Sequence, residues 1–325
     1  MKRRKFIRQT SGFAAGLALA PLAGSHAVAD GGSEQDYPII DTHQHLWDKD
    51  KFRLKWTKDP IDKGDFLLPE YRKEVNGLNV VKTIYMEVDI PEELQEYEAD
   101  FALNLCKDPT SKMAGAVVHG DPSNDNFRDF VSKFSNDPHL KGVRCRFTSK
   151  EAMLSNQAIE NLRWLGDQGL LFDLGIPPTW LGDSLAVVEQ CQDTTFILNH
   201  CGTADPVALF PPDVVKPRES KYDGIKWKRD IEALGDQGNV VCKISGIVAH
   251  VRGYDLQAKH LAPTINHCLD SFGPDRVVFA GDWPTCLYNM PLRQWILTLK
   301  AVVKSRKYEE QKKLFHDNAR RIYRV

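Results

Sequence analysis

The stretch Ile39-Ile40-Asp41-Thr42-His43-Gln44-His45-Leu46-Trp47 decides how this chain is read. An apolar entry runs into an aspartate and then sets two histidines two residues apart. In a strand, residues i and i+2 share a face, so His43 and His45 project together while Thr42 and Gln44 point away. Two imidazoles side by side at a strand end are half of a divalent-metal site. They are equally two polar residues closing a strand, each with an ordinary hydrogen bond. The stretch alone leaves both readings open, and the rest of the chain has to weigh between them.

Working outward, short runs rich in Val, Ile and Phe alternate with longer helical patterns. Strands are expected at Ile39–His45, Lys82–Val88, Met113–His119, Lys141–Phe147, Leu170–Gly175, Thr195–His200, Asn239–Ser245 and Arg276–Asp282. Helical segments fall between them, for example Pro91–Cys106, Ala158–Gln168, Leu261–Phe272 and Met290–Lys304. Eight strand–helix units predict an α/β fold of the (β/α)8 TIM-barrel type. An open doubly wound sheet would carry a glycine-rich phosphate turn after its first strand, and none is present. Glu309–Tyr323 reads as a closing helix, with His316 and Asn318 in packing or capping roles.

Residues 1–29 read as a twin-arginine signal, with Lys2-Arg3-Arg4-Lys5-Phe6-Ile7, a weakly apolar Gly12–Gly24 and an Ala27-Val28-Ala29 cleavage site. The apolar run is too short to span a bilayer comfortably. Residues 30–36 form a polar linker, and 37–325 a single domain. The expected location is therefore periplasmic. Export of an already folded protein fits one that loads a cofactor before crossing. Removing the signal takes five basic side chains with it. That leaves 38 Lys and Arg against 44 Asp and Glu, a formal charge of −6, which offers nothing to nucleic acid or an anionic membrane. The expected partner is a small-molecule substrate. Seven widely spaced cysteines without a Cys-x-x-Cys pair argue for buried free thiols rather than disulfides or a zinc cluster.

The carboxyl ends of the strands gather the polar residues. The sharpest combination is His43, His45, His200 and Asp282. Three imidazoles and a carboxylate suit one divalent ion, zinc above all. Asp282 can bind the ion, orient water and take its proton, while Arg144 can polarise a carbonyl or hold a carboxylate. Glu87 is a further substrate or metal contact. Lys243 should pair with an acid inside the barrel, and His119 and Asp173 should be hydrogen-bonded rim groups. His250, His260 and His267 read as surface or capping residues. Trp47 and Trp283 flank the key residues and can wall a substrate pocket. The long loop from Leu46 to about Val75 carries Trp47, Phe52, Trp56, Phe66 and Tyr71, and the proline-rich Cys201–Lys226 loop is also long. Both are expected to form walls or a lid.

Four motifs together carry a family resemblance: Ile40-Asp41-Thr42-His43-Gln44-His45-Leu46-Trp47, Lys141-Gly142-Val143-Arg144, Leu198-Asn199-His200-Cys201-Gly202 and Gly281-Asp282-Trp283-Pro284. The chain from about Ile39 onward resembles the amidohydrolase superfamily. It looks most like the amidohydrolase-2 (amidohydrolase-related) branch, which includes sugar-lactone hydrolases and pyrone-dicarboxylate lactonase. The resemblance implies that His43, His45 and His200 are the strand-one and strand-six histidines and Asp282 the water-activating acid. Arg144 stands where binuclear members carry a carboxylated lysine or glutamate, and strand five has no histidine, so at most one metal is implied. Some lactonases of this branch work without metal, using the Asp as base with Arg and His polarising the carbonyl. The implied reaction is the opening of a sugar-acid or related lactone. The alternatives are a metal-dependent decarboxylase on the same scaffold and an exported carbohydrate- or organic-acid-binding protein without catalysis. The absence of a Gly-x-Ser-x-Gly elbow argues against a serine hydrolase.

Overall fold

A computed structural model describes residues 37–55 and 64–325. The twin-arginine segment, the linker up to Asp36 and Trp56 lie outside the described residues. The strands are β1 Ile39–Gln44, β2 Val80–Met86, β3 Met113–His119, β4 Leu140–Cys145, β5 Leu171–Leu174, β6 Phe196–Leu198, β7 Val240–Ile244 and β8 Val277–Phe279. They lie side by side in chain order, all parallel. A parallel bridge between Gln44 and Trp283 joins the two edges. Backbone bonds from His45 N to Trp283 O and from Asp282 N to His43 O, both 2.9 Å, reinforce it. The result is a (β/α)8 barrel.

The strands are apolar on both faces because both faces are buried. Ile39 packs outward against the helices and Ile40 inward. The same alternation runs through Phe196-Ile197-Leu198 and Val277-Val278-Phe279. The inward set also includes Ala319 and Tyr323, so the last helical turn, Asn318–Ile322, plugs the barrel's amino-terminal end. Asn318 takes the capping role expected of it, donating to the carbonyls of Pro274 and Val277 at 2.8 Å each.

The observed strands stop earlier than the sequence pattern predicts, at the end that matters. Glu87 lies one residue past β2, Arg146 just past β4, His200 two past β6 and Asp282 three past β8. At β6 and β8 the physical reason is backbone conformation. His200, Cys201, Thr203 and Asp282 all have positive φ, from 53° to 56°, which a strand cannot accommodate. Each such residue costs on the order of 1–2 kcal/mol, offset here by the packed surroundings. Among the described residues, no helix is long and apolar enough to cross a membrane.

The expected lid is a correction. Trp47, Phe52 and Tyr71 are buried, and Phe66 is half-buried. Trp47 and Phe66 bridge each other, and Phe66 and Tyr71 meet the Trp283 ring edge-on at 5.4 and 5.5 Å. These aromatics form a packed block behind the β1–β8 seam rather than a cover.

Candidate functional site

A cleft of about 760 Å³ opens at the carboxyl ends of the strands. Its floor holds His45, Arg144, His200 and Asp282. Its walls include Val88, Asp89, Arg146, Phe147, Ile176 and Pro177, with Ala249, His250, Arg252 and Tyr288. Trp47 and Trp283 are absent from this lining and each is 1% exposed, so neither walls the pocket. Of the two long loops, the second contributes only Thr203 beyond the floor residues among the described lining.

The four residues singled out in sequence meet around one point. The Nε2 atoms of His43 and His45 are 3.1 Å apart. The Asp282 Oδ1 lies 3.5, 3.7 and 4.0 Å from the Nε2 atoms of His43, His45 and His200. Four ligands held at about 2.0–2.1 Å in a tetrahedron stand about 3.3 Å apart, so the His43–His45–Asp282 set has the spacing of a metal site. His45 and His200 also have the right tautomer. Nδ1 of His45 faces the Met86 carbonyl at 3.0 Å, so it carries the proton and leaves Nε2 with its lone pair toward Asp282. Nδ1 of His200 is 2.8 Å from the Ser245 hydroxyl, which can accept in the same way.

His43 differs. Its Nδ1 faces the Lys243 ammonium at 3.4 Å, which has no lone pair to offer. That ring is therefore protonated on Nε2, beside the His45 lone pair, and taking up an ion here releases that proton. Lys243 itself pairs with Asp173 in the barrel interior, as expected from sequence.

Protonation states follow from burial and neighbours. Burial pushes the His200 imidazole down to about 3. It takes His43 well below its ordinary value too, with Lys243 adding to the effect. Burial works against the Asp282 charge, but its neighbours, the Arg144 guanidinium among them, outweigh it and hold the carboxyl below its ordinary value. At neutral pH the site thus combines neutral His43 and His200 with an ionised carboxylate.

Arg144 reaches the floor from β4. Its NH1 donates to Glu87 Oε1 at 2.5 Å and to the Glu87 carbonyl at 3.2 Å. Glu87 is buried beneath it and also accepts from Asp89 N at 2.7 Å. Burial alone would raise the Glu87 pKa, but Arg144 and His119 drive it far below the ordinary carboxylate range. Glu87 does not line the cleft among the described residues; it orients Arg144. His119 sits 3.6 Å from Glu87 as a rim group.

Sequence reasoning passed over Asp41. Its Oδ1 accepts from Gly281 N at 2.7 Å and His43 N at 3.1 Å, and its Oδ2 accepts from Tyr71 OH at 2.8 Å. It ties the histidine strand to the turn that presents Asp282. Any Cβ at Gly281 would collide with the Asp41 carboxylate, and one at Gly246 with the His200 ring. The available signal was the aspartate two residues before His43. Cysteine spacing was also misleading in part. All seven thiols are buried and unpaired, yet the ligand atoms of Cys201, Cys242 and Cys268 come within 4.8 Å of one another.

Comparison with known proteins adds to this geometry. Residues 40–325 match the sequence profile of the amidohydrolase family described as Amidohydro_2. An L-rhamnono-gamma-lactonase of Scheffersomyces stipitis is 23% identical over 89% of this chain and 99% of its own length. An L-fucono-1,5-lactonase of Burkholderia multivorans is 23% identical over 76% of this chain and 82% of its own. The fold is shared with an amidohydrolase from Burkholderia multivorans solved with bound zinc, at a TM-score of 0.75 and 20% identity, covering 89% of this chain and 99% of that one.

Proposed function

The chain belongs to the amidohydrolase family, and on that footing we propose that it hydrolyses a lactone, opening the cyclic ester of a sugar acid or a related compound. One observation carries the reading. A charged Asp282 stands within 4.0 Å of three imidazole nitrogens at the floor of a cleft that also holds Arg144. The lactonase activities named for two relatives support it.

His43, His45 and Asp282, with His200 alongside, would hold one divalent ion, for which this nitrogen-rich set favours zinc. When bound, such an ion supplies Lewis acidity and lowers the pKa of water toward neutrality. The remaining work falls to the chain itself. Asp282, ionised and hemmed in by imidazoles, accepts a proton from the attacking water. Arg144, fixed by Glu87, directs its remaining N–H groups at the carbonyl oxygen, where negative charge develops. The water oxygen bonds to the carbonyl carbon, the ring C–O bond breaks, and the proton held on Asp282 passes to the departing oxygen. Ser245 keeps His200 turned so that Nε2 faces the reacting centre.

We further propose export by the twin-arginine route to the periplasm, resting on Arg3, Arg4 and the Ala27-Val28-Ala29 site. The test of function is elemental analysis of the purified protein, then a panel of sugar-acid lactones with and without chelator, read by acid release. Hydrolysis of at least one lactone, diminished by the chelator if an ion is present, is expected. Carbon dioxide release from an unsaturated acid, with every lactone untouched, would refute the reading.

A further inference from the structure

Arg146 is a charged group of the cleft that no described residue contacts through a hydrogen bond or ion pair. It follows Arg144 by two residues, just beyond the end of β4, and its side chain is accessible through the cleft mouth. Arg144 is committed to Glu87. Arg146 makes no hydrogen bond or ion pair with any described residue. Asp89 lines the same cleft and acts on it only at a distance. Partial desolvation in the cleft and the neighbouring Arg144 charge work against its positive charge, while Glu87, Asp89 and Asp282 favour it without touching it. With Arg144 taken up by Glu87, a cation left without a contact partner in the cleft is a ready place for an arriving anion. From the far side of the ring, Arg252 lies over the Tyr288 ring, 3.8 Å from its centroid, and adds a third arginine to the lining beside Arg144 and Arg146. The chain as a whole carries a formal charge of −1. Its overall field therefore does not gather anions, and any selection for them has to be local.

We propose that Arg146 receives a carboxylate carried by the substrate, so that the ester opened here is the lactone of a diacid, with one free carboxylate, rather than a neutral aldonolactone. This rests on the hydrolytic reading above. The planar guanidinium matches a carboxylate through two parallel N–H···O bonds. Arg144 on the floor serves the reacting carbonyl while Arg146 near the mouth holds the far end, which fixes the ring between them.

The experiment compares D-glucaro-1,4-lactone with D-glucono-1,4-lactone, which differ only in a carboxylate for a hydroxymethyl group, and likewise the corresponding galacto pair. Wild type and Arg146→Gln are assayed side by side, with melting temperatures as a check on folding. In the wild type, kcat/KM should favour the acidic member of a pair by about tenfold or more, the worth of one charge-assisted hydrogen bond, mainly through KM. In Arg146→Gln that ratio should collapse toward one. Equal treatment of both members by the wild type overturns the proposal. So does an equal loss on both members in the variant. If no lactone of either pair is opened, the choice of rings or the hydrolytic reading has failed, and calorimetric titration with D-glucarate and D-gluconate decides this proposal separately. The dianion should bind the wild type about tenfold more tightly and lose that advantage in Arg146→Gln. Equal binding of the two acids by the wild type would overturn it.

Discussion

Replacing Asp282 by asparagine separates chemistry from architecture at this site. The backbone here is left-handed, with φ of 54°, and asparagine tolerates that region better than most residues. Its amide N–H still reaches the His43 carbonyl, and its carbonyl still accepts from Cys286 N. The side chains are nearly the same size, so the 3% exposed pocket around it keeps its packing. What changes is charge. The carboxylate that three imidazole nitrogens face becomes an amide that cannot take a proton from water. Loss of a positioned general base costs about 10²–10⁴-fold in rate, or roughly 3–5 kcal/mol of transition-state stabilisation. The assay is steady-state hydrolysis of the best lactone from the panel, with thermal melting of the same preparation. The expected result is a fall in kcat of at least a hundredfold with the melting transition shifted by only a few degrees. A variant that turned over within threefold of the parent would remove Asp282 from proton transfer, and with it the mechanism above.

Arg144→Lys should lower kcat/KM by about tenfold or more, because a single ammonium cannot keep the Glu87 contact and also serve a carbonyl; an unchanged value would take Arg144 out of the site. Glu98 gives a pH test of stability. Burial, with the nearby Glu87 carboxylate, lifts its pKa from 4.5 to about 8. The folded state therefore holds a proton that the unfolded chain gives up, and this contribution, intact below about pH 4.5, is lost as pH rises toward 8. Asp41, raised by burial to about 6, has the same sign but finishes lower. Between pH 6 and 8 the wild type should lose stability by up to about 1.4 kcal/mol per pH unit, and Glu98→Gln should flatten that decline in urea titrations. Parallel curves for the two proteins would show that Glu98 is ionised in the folded state.

The barrel was legible because parallel strands buried on both faces write themselves as short apolar runs, and eight of them recur between helical patterns. The metal-type cluster was legible for a related reason: His43, His45, His200 and Asp282 sit at or just past strand ends, where polar residues break an apolar pattern. Where those strands end was not legible, because the left-handed backbone at His200 and Asp282 depends on tertiary support rather than on local preference. Trp47 and Trp283 misled for the opposite reason. Composition tells that an aromatic ring will be covered, but not whether protein or substrate covers it. Asp41 escaped notice because its partners, Gly281 and Tyr71, lie 240 and 30 residues away. The Cys201–Cys242–Cys268 gathering has the same origin: three elements distant in sequence converge behind His200.

The plug at the amino-terminal end of the barrel has a consequence in time. Ala319 and Tyr323 fill the interior from below, and they follow all eight strands in chain order. Until they arrive, the inward faces of Ile40, Val117 and Val278 have water for a floor. The ring of strands can form on a nascent chain, but it stays unsealed until the segment carrying Ala319 and Tyr323 has been made.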